Sequence, residues 1–269
     1  MRKIFLISAL IAITAPAMAW GPTGHRVIAQ IAYQYLNGKT KKQIEKTLGK
    51  NGMVYWTNWA DEIKSAPSIY PTSYDWHFQD LEQGLTPADI DSLIQHFPNH
   101  GGRLWTTTSQ LLQPNMWKTT QPLPINGEMM TYQDRLVFLI HLIGDCFCPM
   151  HMAQEVDKGG NKTKFKWFGE PTNLHNIWDE QLIDARGYSY TEYAQLILIT
   201  YGNQADSIQQ QSPTQLMQTV YNTTSGIYQY YQNGDNNTYH YIWNWHQPCE
   251  QLLFNAGVTL ARVLNARIH

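Results

Sequence analysis

Two His/Asp pairs, His141 with Asp145 and His175 with Asp179, stand four residues apart, so on a helix each pair shares one face. His151 follows Asp145 by six residues, behind Pro149, which ends the helix and lets the chain fold back towards the same point. Asp61 closes the run Trp56-Thr57-Asn58-Trp59-Ala60-Asp61, and His77 sits in Tyr74-Asp75-Trp76-His77-Phe78. His25 lies five residues after Trp20, and cleavage after Ala19 would give Trp20 a free α-amine beside that imidazole. Imidazole and carboxylate donors suit zinc or a similar borderline divalent ion. Five histidines, three aspartates and an amine exceed the three or four protein ligands that one zinc takes, so the nine groups read as a cluster of ions.

Each of these groups also has a plainer reading. A single histidine on an apolar helix is ordinarily a hydrogen-bonded core residue, and a His/Asp pair at helical spacing is commonly an ion pair. Asp61 could cap a helix, and Trp20 could be a buried aromatic. Joint occurrence separates the two readings. Of ten histidines, five fall in motif-like contexts, whereas His96, His100, His240, His246 and His269 read as loop or surface residues.

The residues before Trp20 have the form of an export leader, with Arg2 and Lys3 ahead of an apolar stretch over 4–15. Ala17, Met18 and Ala19 then make a small-residue cleavage site. No later segment approaches ~20 continuous apolar residues, so the expectation is an exported protein, periplasmic or extracellular, with no membrane anchor. Residues 20–269 are long enough for one large domain. The formal charge is −2, falling to −4 once Arg2 and Lys3 are lost, so bulk charge offers no surface for a polyanion and any such binding needs a local positive site. Three cysteines (146, 148 and 249) allow at most one disulfide.

Helical periodicity dominates the elements that must position the donors. Apolar residues recur at three- and four-residue steps through 27–36, 136–143, 193–199 and 252–264. Thr40, Thr86-Pro87 and Ser212-Pro213 read as helix starts, and Asn37-Gly38, Asn51-Gly52 and Asn233-Gly234 as stops. The one strand signal is the alternation Lys164-Phe165-Lys166-Trp167-Phe168. The expectation is a mainly α, single helical domain with at most a small β-hairpin and long loops at 67–74, 114–130 and 156–173.

The ordered set Trp20, His25, Asp61, His77, His141, Asp145, His151, His175 and Asp179 closely resembles the ligand pattern of the zinc-dependent single-strand nuclease and 3′-nucleotidase family, the S1/P1 nuclease type. The resemblance implies a helical fold and three Zn2+ per chain. One ion would be held by Asp61, His77, His141 and Asp145, and a second by His151, His175 and Asp179. The third would take the Trp20 amine and carbonyl, His25 and the other oxygen of a bridging Asp145. It further implies endonuclease cleavage of single-stranded DNA and RNA to 5′-phosphorylated products through a metal-bound hydroxide, with 3′-nucleotidase activity, by a monomer. Asp61 would orient the hydroxide and Lys64 would steady the phosphate. Phe78 would stack the base, with Asp80 and Asn161 reading its edge. Three zinc ions beside three aspartates leave a local charge of about +3, which draws a phosphodiester to an acidic chain.

The sequence departs from the family between Asp145 and His151. The family pattern there is Gly-Asp-x-His-Gln-Pro-Leu-His, whereas this chain has Gly144-Asp145-Cys146-Phe147-Cys148-Pro149-Met150-His151. The cysteines read as buried small apolar residues, as a partner for Cys249, or as a thiol ligand to zinc. Two other functions compete. A zinc-dependent phospholipase C shares the general site, but carries Glu where this chain has Asp179. A non-catalytic zinc-binding exported protein would lack phosphate and base contacts such as Lys64 and Phe78.

Overall fold

The computed structural model describes residues 20–66, 68–98 and 100–268. The leader expected over residues 1–19 and His269 lie outside them. Among the described residues the regular structure is helical apart from two small two-stranded sheets and one isolated bridge. The central element is the helix Tyr132–Asp145. The Thr131 side chain caps it by accepting from the Asp134 amide at 3.1 Å, and every residue from Arg135 to Asp145 is buried. A helix enclosed all round belongs in a core. Buried Arg135 donates to the carbonyls of Thr119, Gln121 and Met130, which ties the preceding loop to the base of the helix.

Other helices wrap this one. The N-terminal helix Pro22–Tyr35 starts with Pro22, whose fixed φ suits a first turn, and packs against the C-terminal helix Thr238–Arg267 and the helix Tyr190–Tyr201. The C-terminal helix also touches Tyr132–Asp145. Helix Pro213–Gln232 packs against Pro87–His96 and the short turn Pro149–Met152. Capping boxes at Thr86/Asp89, Ser189/Glu192 and Ser212/Gln215 fix three helix starts. Each such cap contributes about 1 kcal/mol.

Two local expectations are corrected. Asn37 begins a helix, Gly38–Leu48, because its side chain accepts from the Thr40 amide; Thr40 is inside that helix rather than ahead of it. A second hairpin, β1 (Leu123–Ile125) with β2 (Glu128–Met130), lies in the stretch expected to be a long loop. Its turn is Asn126-Gly127, both at positive φ, which is the two-residue turn that twists with its strands. Pro124 disguises the signal by breaking the apolar alternation. The expected strand forms β3 (Lys164–Trp167), paired with β4 (Glu170–Asn173).

Candidate metal centre

Short turns bring the donors to the C-terminal end of the helix Tyr132–Asp145. An aromatic group of Trp59, Tyr70, Trp76 and Phe138 packs edge-to-face or tilted, with centroids 5.3–6.3 Å apart. Trp59 opens the turn that carries Asp61, and Trp76 directly precedes His77. Three aromatics packed on Phe138 thus hold two donors over one face of the central helix; such pairs add about 1 kcal/mol each beyond their buried area.

The segment 77–81 runs alongside 151–153. His151 Nδ1 donates to the His77 carbonyl, Gln79 N to the His151 carbonyl at 2.8 Å, and Leu81 N to the Ala153 carbonyl at 2.8 Å. His77, Phe78 and Asp80 are therefore placed relative to His151 by backbone bonds. Gly102, at φ 96°, lies so near that a Cβ there would stand 2.1 Å from the Phe78 carbonyl oxygen.

Two neighbouring clusters result. In the first, Asp145 stands between imidazoles: Oδ1 is 3.2 Å from His25 Nε2, and Oδ2 is 3.1 Å from His77 Nδ1 and 3.3 Å from His141 Nε2. Asp61 Oδ1 lies 3.5 Å from both His77 Nδ1 and His141 Nε2, and 2.6 Å from Lys64 Nζ. His25 stacks on His141 with centroids 3.8 Å apart. In the second, His175 Nε2 is 3.1 Å and His151 Nε2 4.0 Å from the Asp179 carboxylate. Trp20 is fully buried; its indole donates to the Gly144 carbonyl at 3.0 Å, and the next residue, Gly21, donates to the Asp179 carbonyl at 2.6 Å. The start of the described chain is thereby tied to both clusters.

Backbone carbonyls orient three of the rings. His141 Nδ1 meets the Thr57 carbonyl at 2.7 Å, His175 Nδ1 meets that of Gly159 at 2.6 Å, and His151 Nδ1 meets that of His77. With Nδ1 donating, each Nε2 is turned to the centre, the orientation that metal-binding histidines require. No residue type marks a carbonyl for this task, so Thr57 and Gly159 carry no signal of it. Asp179 lies in a rare π-helical turn, Ile177–Gln181, directly after Leu174–Asn176. Such turns are frequent at functional sites.

The donor chemistry fits metal ions. Asp61 Oδ2, Asp145 Oδ1, His25 Nε2, His77 Nε2 and His175 Nε2 are buried without a hydrogen bond of proper geometry. Unsatisfied acceptors at this density are costly unless a cation gathers them. Among the described residues, three groups offer ligand atoms within 4.8 Å of one another: His25/His141/Asp145, Asp61/His77/His141 and Cys148/His151/Asp179.

Electrostatics agree. Burial opposes ionisation of Asp61 and Asp145, yet the facing His141 outweighs it and both stay below the usual carboxylate range. Burial and Lys64 lower His77 to about 4, and burial lowers His151 to about 3, so both are neutral donors at physiological pH. For His141, Asp145 and Asp61 overcome burial and raise it to about 10. One imidazolium between two carboxylates fills the electrostatic role that a divalent cation takes over.

Among the other expected residues, Phe78 and Asp80 are half-buried, and Tyr74 meets Phe78 edge-on at 6.1 Å. Burial, then Glu155 and Asp157, push Asp80 up to about 6. Asn161 sits in the Gly159-Gly160 turn, where its amide nitrogen donates to the Lys158 carbonyl at 2.8 Å. The three cysteines are buried and free, so pairing with Cys249 is excluded in this structure. No helix among the described residues is long and apolar enough to cross a membrane.

Comparison with known proteins decides the family: the S1/P1 Nuclease family description matches residues 20–269. The chain belongs to the S1/P1 nuclease family. It is 29% identical to Endonuclease 3 of Arabidopsis thaliana over 180 residues, covering 65% of this chain and 58% of that protein. It is 28% identical to Nuclease S1 of Aspergillus oryzae (77% of this chain, 72% of the relative) and 27% identical to Nuclease P1 of Penicillium citrinum (60% and 57%). The match spans less than two thirds of the length of the plant relative and of Nuclease P1.

Proposed function

We propose that this member of the family is an exported zinc-dependent phosphoesterase that cleaves single-stranded DNA and RNA and removes 3′-phosphates from nucleotides. The observation that carries the proposal is Asp145. One carboxylate faces His25 with one oxygen and the His77/His141 pair with the other, the arrangement that lets it bridge two ions.

Three zinc ions would be distributed as the family pattern implies: Asp61, His77, His141 and Asp145 for one; His151, His175 and Asp179 for another; and the Trp20 amine and carbonyl, His25 and Asp145 for the third. Zinc held there supplies Lewis acidity towards phosphate oxygens and acidifies bound water towards a pKa of ~7. The rest falls to this chain's side chains. Asp61, kept ionised by its neighbours, accepts a hydrogen bond from the attacking water and sets its line of approach. Lys64, 2.6 Å from Asp61, balances charge gathering on the non-bridging phosphate oxygens. Phe78 stacks an unpaired base beside the centre, with Asp80 and Asn161 at the base edge. Because stacking needs a base freed from its duplex, single strands are the favoured substrate. The products carry 5′-phosphates and 3′-hydroxyls.

The test compares single-stranded with duplex DNA, using the chain from Trp20 onwards and its Phe78→Ala variant. Phe78→Ala lowers kcat/KM on single strands about tenfold to a hundredfold, the worth of one base stack. Equal cutting of single strands by parent and variant contradicts the stacking role. Cleavage of phosphatidylcholine with no action on DNA would reassign the substrate.

A further inference from the structure

The turn between Asp145 and His151 holds a side chain that no role above uses. Cys148 is fully buried, and its Sγ lies 3.7 Å from Asp179 Oδ1. The sulfur, a His151 ring nitrogen and an Asp179 oxygen are all within 4.8 Å of one another. In a tetrahedral zinc site with sulfur at about 2.3 Å and oxygen at about 2.0 Å, the sulfur–oxygen edge is about 3.5 Å. The observed separation is close to that edge. Cys146, two residues earlier, faces Thr108 Oγ1 at 3.9 Å, and Cys249 lies on the C-terminal helix.

The local sequence explains why this cysteine turns towards the centre. Pro149 bars the preceding residue from the helical region, and Cys148 accordingly has φ −83° and ψ 119°. This extended backbone directs the side chain towards Asp179. The Cys148 amide donates to the Asp145 carbonyl at 3.0 Å, and the His151 amide to the Cys148 carbonyl at 3.1 Å. The backbone of this turn is therefore fixed to two residues that bear donors.

We infer that Cys148 is a protein ligand, through its sulfur, to the ion shared by His151, His175 and Asp179. The inference rests on the zinc reading above and concerns a position where the family pattern has glutamine. As the S–Zn bond forms, the S–H bond breaks and its proton passes to solvent; no oxidation state changes. The added thiolate brings the protein donors around this ion to four. It also lowers the net charge of the cluster from about +3 to about +2.

X-ray absorption at the zinc edge of the zinc-loaded chain from Trp20 onwards tests this without any variant. The expected spectrum contains a sulfur shell at about 2.3 Å, amounting to one sulfur per chain. Cobalt substitution should give a thiolate-to-metal charge-transfer band that disappears in Cys148→Ala and survives in Cys146→Ala. A zinc-loaded, DNA-cutting parent with only nitrogen and oxygen neighbours overturns the inference and leaves the proposed function standing. A sulfur shell that persists in Cys148→Ala also overturns it. Protein that binds no zinc sinks both.

Discussion

Under the proposed function, Asp80 would tie substrate choice to acidity. Burial and the nearby Glu155 and Asp157 push its carboxyl up to about 6, so it is protonated below that pH and a two-oxygen acceptor above it. A base edge with paired N–H donors, as in guanine, would be bound by the ionised form. As pH rises through about 6, KM for a guanine-containing single strand should fall in the parent, while Asp80→Asn should show no such step. An identical pH dependence of KM in both proteins removes Asp80 from base recognition. The sign for stability runs the other way. The folded chain holds this proton more tightly than the unfolded one, so the contribution of Asp80 to stability declines as pH climbs from 3.8 through about 6.

At the scale of elements, the close approach of the N-terminal helix to the end of the central helix decides the first cluster. A Cβ on Gly144 would stand 2.9 Å from His25 Nδ1 and 3.0 Å from His25 Cε1. Gly144→Ala should push that ring off Asp145 without unfolding the helix, since alanine favours helices over glycine by about 1 kcal/mol. The expected variant stays folded by circular dichroism and loses zinc to the same extent as His25→Ala, and combining the two changes should cost nothing more. Additive losses would show that Gly144 acts elsewhere.

This packing also marks what could be read from the chain. The helical class and the His141/Asp145 and His175/Asp179 pairs were legible because helical spacing alone puts such residues on one face. The starts at Thr86 and Ser212 were legible through their caps. The start at Asn37 was misread, since Asn-Gly marks a helix start or end with equal ease. The π-turn around Asp179 and the carbonyls of Thr57, His77 and Gly159 were not legible. Backbone geometry set by tertiary packing leaves no residue-type signature. The direction taken by Cys148 likewise emerged only from its distance to Asp179.

For the whole molecule, the proposed export would link maturation to chemistry. Trp20 is buried, with its indole on Gly144 and the next amide on Asp179, so the new chain start created by export would already be docked at the centre. Uncleaved protein retains an amide at that nitrogen, a poor ligand. It should bind about one zinc fewer than the chain from Trp20 onwards and cut single strands feebly. Equal zinc content and turnover in both forms would separate export from activity.

The central claim is that scattered donors converge to hold several zinc ions, with Asp145 shared between two of them. Counting zinc per chain by plasma mass spectrometry, in the chain from Trp20 onwards and in its Asp145→Asn variant, tests it most directly. The account predicts about three ions in the parent, loss of zinc from two positions in the variant, and a fall in single-strand cleavage of more than ~100-fold. An Asp145→Asn protein with full zinc content and full activity would contradict it.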